Sequence, residues 1–314
     1  MTRWGIVSTV KADARDILNF AAYHLERGAH RLYLYLDAPD PAVFDRLAAH
    51  PKIKVVACDD NWWAKRRGRP EKHQSRQFLN ARHAYNRRVE VDWLAHIDVD
   101  EFLWPARPLA AQLADLPQDC LCARARPIEA LAPAPGSSGP ETTFKAFHLA
   151  PAERQRAAER VFPTYGRHLS GGFLSHVAGK LVYRTGIDGL RAKIHNIEVD
   201  GRQNPGEQPL PETELCHMHA QSWEDWQSSY RYRMARGSYR PDLKPQVNRH
   251  SGGLSLHELF SRLESEAGVA GLRRFYDEIC LATPALCDRL AAEGLLRRHD
   301  LNLDAARVRQ FPGS

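Results

Sequence analysis

Trp93-Leu94-Ala95-His96-Ile97-Asp98-Val99-Asp100-Glu101-Phe102-Leu103 is the stretch on which the reading of the fold turns. An apolar run of strand length ends on two carboxylates separated by one residue. In extended geometry Asp98 and Asp100 face one side and Val99 the other. Adjacent carboxylates repel unless a cation or a proton lies between them, and oxygen ligands of this kind suit Mg2+ or Mn2+. A cation held there could clamp a diphosphate and stabilise charge gathering on a leaving nucleotide. A solvated acidic turn closing a strand would also explain a bare Asp-x-Asp, so the surrounding sequence has to decide.

Upstream of the motif, apolar runs and helical periodicities alternate. Ile6–Val10 predicts a buried strand; a helix follows from about Asp13, with Ile17, Phe20, Ala21 and Leu25 at helical spacing and Gly28 as its stop. Arg31–Leu36 predicts a second strand, and Asp37-Ala38-Pro39-Asp40-Pro41 turns into a helix carrying Val43, Phe44 and Leu47. Ile53–Ala57 is a third strand, a polar basic loop follows, 71–88 has helical composition, and Val91–Ile97 is a fourth strand. This alternation predicts an α/β fold with a doubly wound, mainly parallel sheet. Ligands of such sheets lie outside the carboxyl ends of the strands. Thr9, Lys11 and Asp37 are therefore expected at a nucleotide, with Asp60 a weaker candidate. Gln77 and Asn80, three apart on one helix face, could approach the ribose or sugar. Lys180 and Arg184 could neutralise a diphosphate, although surface ion pairs would use them equally well.

Downstream, Leu121–Arg126 predicts a further strand, Ala132 to Pro140 a flexible insertion, and 141–220 a mixture of short strands and loops. From Ser255 the pattern is helical: Ser255 with Glu258 forms a capping box, and Thr283-Pro284 starts another helix. The expected division is a nucleotide-sugar-binding and catalytic domain over 1–236, acceptor region included, with a helical carboxyl-terminal extension over 237–314. Trp226 and Tyr230 sit at helical spacing and suit core packing, whereas Trp223, Trp226, Tyr230 and Tyr232 together could offer an acceptor platform.

The 314 residues include 44 Lys plus Arg against 38 Asp plus Glu, with the signs interspersed. That balance suits an anionic ligand or peripheral membrane contact, and no nucleic-acid partner is expected even though Lys65-Arg66-Arg67-Gly68-Arg69 is basic. The six cysteines form no Cys-x-x-Cys pair and read as reduced, mostly buried hydrophobes. The first apolar run is too short for a signal peptide, so a cytoplasmic protein is expected. The apolar faces of the terminal helices fit core or a homodimer surface.

The motif then becomes specific. Asp98-Val99-Asp100-Glu101-Phe102 after Asp92-Trp93 resembles the Asp-x-Asp-Glu-Phe signature of glycosyltransferase family 2-like proteins with a GT-A type fold. Lys11-Ala12-Asp13 and the helix Ile17 to His24 resemble that family's opening Lys-Asn-Glu and its Trp-x-x-Tyr-His helix, with Asp13 and Phe20 as departures. Gly179-Lys180-Leu181-Val182-Tyr183-Arg184 and Cys216-His217-Met218-His219-Ala220-Gln221-Ser222 resemble later segments of the family. The resemblance implies a metal-dependent, inverting transferase. It would use a nucleotide-sugar donor, UDP-linked on family grounds, and a glycan, lipid-linked or small-molecule hydroxyl acceptor. Asp98, Asp100 and His217 would hold Mn2+ or Mg2+, with Asp98 also facing the donor. His219 points the same way as His217 in an extended chain. Inversion needs a general base, for which Glu129, just beyond the strand after the motif, is the candidate. Two other readings share these residues. One is a non-catalytic nucleic-acid or glycan binding protein, and the other is an aspartate-nucleophile phosphatase, which Phe102 and the three preceding strands disfavour.

Overall fold

The structure is a computed structural model that describes residues 1–87, 89–137 and 139–313. The chain divides into two compact units. The first comprises Met1–Arg126, Ala178–Leu215 and the segment from Asn302 onward; the second comprises Pro127–Val177 and Cys216–Leu301. The chain passes between these units more than once, and its helix Leu303–Gln310 belongs to the first.

In the first unit the expected alternation is present. Strand β1 (Trp4–Val10), helix α1 (Ala14–Glu26), β2 (Arg31–Leu36), α2 (Pro41–Ala48), β3 (Ile53–Ala57), a short α3 (Asp60–Ala64), α4 (His73–Asn86) and β4 (Trp93–His96) follow in order. The helix expected over 71–88 is α4, shorter at both ends; Arg88 lies outside the described residues. The strands lie in the order β4-β1-β2-β3 and all pair in parallel, Val7 meeting Tyr33 and His96, and Tyr33 meeting Lys54. Two antiparallel neighbours extend this half. Lys180–Arg184 runs against β4 and against the Cys122–Ala125 part of the strand Cys122–Ala130.

The sheet is covered on both faces, as the doubly wound expectation requires. Side-chain alternation puts Val7, Tyr33, Tyr35 and Leu94 on one face, packed with Ala81 and Ala84 of α4 and with Leu181 and Tyr183. The opposite face carries Ile6, Leu32 and Leu34, all fully buried. Helix α1 braces the chain just past the carboxylate motif: Tyr23 donates its hydroxyl to the Leu103 carbonyl at 2.9 Å, and His24 Nε2 accepts the Leu103 amide at 3.2 Å. The His24 ring also stacks on Phe102. These are the residues of the Trp-x-x-Tyr-His likeness, and holding that strand is what they do here.

The second unit has Pro127–Ala130 pairing with Thr142–Lys145, which in turn pairs antiparallel with Leu296–His299. Helices Trp223–Ala235, Leu256–Cys280 and Pro284–Ala292 give it the expected helical character. Ser255 and Glu258 form the capping box and Thr283 caps the later helix, both as read from sequence. Trp226 and Tyr230 are buried against Phe260, Tyr239 and Tyr276, so the core reading of that aromatic stretch holds for them. The helix Pro151–Val161 was not anticipated, nor was the strand Leu296–His299.

Candidate functional site

Parallel pairing brings the carboxyl ends of β1, β2 and β4 to one rim, the alternation that buries Val7 and Tyr35 beneath α4 carries Thr9 and Asp37 onto the same face, and Asp98 follows just past the end of β4. Helix α4 answers each of them. Asn80 Nδ2 donates to Thr9 Oγ1 at 3.1 Å, Arg76 Nε to Asp37 Oδ2 at 2.9 Å, and Gln77 Nε2 to Asp98 Oδ1. A polar stripe on a helix that otherwise packs on the core thus sets the rim residues in place. Thr9, Asp37 and Gln77 are nearly fully buried, while Lys11 is exposed.

Asp37 is the centre of a cationic cluster. Arg69 Nη2 reaches its Oδ1 at 3.0 Å, Arg76 its Oδ2, and His73 Nδ1 lies 3.9 Å away. Burial opposes ionisation of this carboxyl, but the neighbouring His73 and the two guanidinium charges outweigh it and hold Asp37 below the usual carboxylate range. Its oxygens are turned to these side chains, so Asp37 orients a half-exposed Arg69 at the rim. Sequence reading had noted the basic run that contains Arg69 but not its anchor.

At the motif itself the extended geometry stops short. Strand β4 ends at His96, the chain turns at Val99-Asp100, and the Glu101 amide closes the turn on the Asp98 carbonyl at 3.1 Å. Glu101 folds back so that its Oε2 accepts the Asp98 amide at 2.8 Å. The expectation that Asp98 and Asp100 share a strand face is thereby corrected, since the two-residue rule applies only while the chain stays extended.

Lys180 sits in this turn. Gly179 precedes it at φ +73°, and a Cβ there would lie 2.2 Å from the Ala125 carbonyl oxygen, so only glycine allows the approach. The Lys180 Nζ lies 2.6 Å from Asp98 Oδ2 and 3.3 Å from Glu101 Oε2, with the lysine and Glu101 fully buried. Burial alone would depress the ammonium's affinity for its proton; the two carboxylates more than offset it and keep Lys180 charged. Any cation using Asp98 must share it with this ammonium and with Gln77. His96 and His195 are both pushed down to about 4, by burial first and then by Lys180. His195 Nδ1 donates to the Gly179 carbonyl at 3.0 Å, which fixes its neutral tautomer. A cleft of about 540 Å3, lined by Gln74, Ser75 and Phe78 of α4 and by Ile194, His195 and Asn196, opens within this unit. Its surface is largely apolar, with a few polar side chains among the lining residues.

The second unit holds Glu129 and His217. Glu129 is directly across the strand pair from Lys145, and their charges meet at 3.1 Å with both side chains buried. Its Oε1 accepts the Leu174 amide at 3.0 Å; its Oε2 accepts the Ser175 amide at 2.9 Å and the Ser175 hydroxyl at 2.6 Å. Lys145 also donates to the carbonyls of Gly172 and Ile279. Burial opposes the charge on Glu129, yet Lys145, His219 and these hydrogen bonds pull it down to about 2. In these surroundings Glu129 anchors the segment Leu174–Ser175. His217 ends the strand Gln208–His217 and is 7% exposed. Its ring centre lies 5.1 Å from that of His219 and 6.4 Å from that of His176, a residue that sequence reading missed because it stands alone in a loop.

No protein-family model matches the chain, and no curated protein matches it. Among solved structures, it is similar to the glycosyltransferase GlyE in Streptococcus pneumoniae TIGR4, at 15% identity and TM-score 0.26, over 40% of this chain and 30% of that one. It is similar to HddC from Yersinia pseudotuberculosis at 13% identity and TM-score 0.25, over 42% of this chain and 59% of that one. It is also similar to residues 1–349 of S. aureus TarS at 12% identity and TM-score 0.36, over 98% of this chain and 90% of that one.

Proposed function

We propose that the chain is a metal-dependent glycosyltransferase. It binds a nucleotide diphosphate sugar, with UDP as the expected nucleotide, and transfers the sugar with inversion to a hydroxyl of a glycan, lipid-linked or small-molecule acceptor. The observation that carries this reading is the convergence of Thr9, Asp37 and Asp98 at one sheet rim under α4, with Arg69, Arg76 and Lys180 as its charges. A cationic rim beside carboxylates is what a diphosphate bridged by a divalent ion requires.

In this reading Arg69, oriented by Asp37, meets the nucleotide's negative charge, and Lys11 adds to it from the exposed end of β1. Lys180 holds Asp98 in place, so that little reorganisation accompanies donor binding. The cleft at Phe78, Ile194 and Asn196 receives a sugar ring: apolar surface meets its face and amide groups its hydroxyls. Mn2+ or Mg2+ at Asp98 and Asp100 would supply Lewis-acid stabilisation of the leaving nucleoside diphosphate.

The test is a calorimetric and thermal-shift series with UDP, GDP and their sugar conjugates, with and without Mn2+, on the wild type, Asp100→Ala and Arg69→Ala. Metal-dependent stabilisation by a nucleotide, weakened in both variants, is the expected result. Absence of nucleotide binding under every metal condition would remove the reading.

A further inference from the structure

The positive charge of the first unit does not stop at Arg69 and Arg76. Arg66 lays its guanidinium 3.2 Å from the centre of the Trp62 ring and donates to the Trp62 carbonyl at 2.9 Å. Trp62 meets His83 of α4 at 4.7 Å between ring centres, and the Tyr35 hydroxyl lies 2.7 Å from His83 Nδ1. Tyr35 stands two residues before Asp37 on the same face, about 7 Å along the chain. The cations around His83 therefore continue the pair that Asp37 holds. Arg87 caps α4 one turn beyond His83, and Arg87 and Arg66, after burial, push that imidazole down to about 4.

This track is poor in compensating acids. Asp37 is taken up by Arg69 and Arg76, and Asp59 accepts the Trp62 amide. Among the described residues no carboxylate pairs with Arg66 or Arg87. Lys65, Arg67 and Lys72 are exposed on the same loop. Helical rise places Arg87 about 16 Å along the axis from Arg76. A diphosphate is too short to touch both, whereas a chain with charges at intervals runs the whole length.

The chemistry of that chain follows from what the track lacks. Arg66 covers the ring of Trp62, which Tyr35, His83 and Trp63 also contact, so bases of a nucleic acid miss the stacking platform that single-strand binding uses. The large exposed apolar residues among those described are Met1, Leu149, Tyr232, Val269 and Val308, none of them in α3, α4 or the loop between, so a lipid surface finds no apolar anchor there. A hydroxylated polymer with anionic groups needs neither.

We infer that α3, the basic loop after it and α4 up to Arg87 bind a polyanionic glycan. As the acceptor class this rests on the transferase reading; as a binding surface it stands without it.

The experiment titrates the full chain, with no nucleotide present, against labelled dextran sulfate, alginate and neutral dextran of matched length, and follows fluorescence anisotropy at low and physiological salt. Arg66→Gln, Arg87→Gln, the double variant and Arg46→Gln, the same charge change on α2, are compared after each is checked for wild-type thermal unfolding. Arg87 is exposed, so its variant decides the matter even where Arg66→Gln unfolds. Both anionic polymers are expected to bind and dextran not to, with affinity falling as salt rises and about tenfold lost in the double variant. Arg46→Gln should match wild type. Failure of both anionic polymers to bind, affinity unchanged in the arginine variants, or preferential binding of oligothymidylate or of anionic phospholipid vesicles would each overturn the inference. UDP or GDP binding with Mn2+ where no polymer binds keeps the transferase and removes this surface. Arginine-dependent polymer binding with no nucleotide binding does the reverse.

Discussion

Lys180 and Asp98, 82 positions apart in the chain, meet at 2.6 Å, and the same ammonium reaches the fully buried Glu101. Neither acid is a bare metal ligand, because one lysine organises both. Lys180→Met would strip Asp98 and the buried Glu101 of this shared ammonium, and loss of about 3–5 kcal/mol at pH 7 is expected. Urea unfolding at pH 7 measures it, and equal stability of variant and wild type would show the pair to be dispensable.

Gly179 and Gly186 share a φ of +73° but differ in surroundings: a Cβ at 179 would strike the Ala125 carbonyl at 2.2 Å, whereas nothing lies within 4 Å at 186. Gly186→Ala should cost only the left-handed backbone penalty of about 1–2 kcal/mol. Gly179→Ala should cost clearly more, because the strand holding Lys180 must move. Thermal unfolding of the two variants side by side tests this, and equal shifts would mean that the close approach carries no energy.

For the buried pair Glu129 and Lys145, removing one partner is expected to cost about 3–5 kcal/mol, since the other stays charged and buried. Glu129→Gln with Lys145→Met should recover a large part of that loss. The sign with pH follows from the depressed carboxyl, about 2 in the folded chain. Its contribution is fully present above the unfolded-state value and is lost as pH falls toward 2. A double variant no more stable than either single one would mean that the two charges are not coupled.

His24 is held neutral by burial, its value pushed down to about 3. Unfolding releases it to titrate normally near 6.5, so the contribution is present above that pH and is lost as pH falls from 6.5 toward 3. The slope from this one group approaches about 1.4 kcal/mol per pH unit. His24→Gln should be less stable at pH 7, having lost the imidazole that accepts the Leu103 amide, but its stability should fall less steeply with acid. Parallel slopes for both proteins would place the titration elsewhere.

What sequence made legible here depended on range. The run Leu32–Leu36 announces a strand because its residues are consecutively apolar, Ile53–Ala57 because Lys54 alone interrupts it, and Ser255 with Glu258 announces a helix start because a capping box is complete within four residues. The carboxylate motif was legible as chemistry, but its turn was not: Glu101 folding back on the Asp98 amide is a side-chain choice that no periodicity records. Lys180 was noted as a phosphate contact, while its pairing with Asp98 depends on the register of an antiparallel strand laid down much later in the chain. Glu129 was read as a base because an acid after a strand suggests one. Only the three-dimensional surroundings reveal Lys145, Leu174 and Ser175 closing around it.

Helix Leu303–Gln310 lies against α1, with Arg15 on Asp304, Arg307 on Asn19 and Arg309 on Glu26. Helix α1 therefore waits for a segment synthesised far later in the chain before its outer face is covered. Until then the sheet from β1 to β4 must persist with that flank bare or shielded by a chaperone. A ribosome stalled before Leu303 would thus hold a nascent chain whose amino-terminal half is open to proteases at α1, however complete its strands already are.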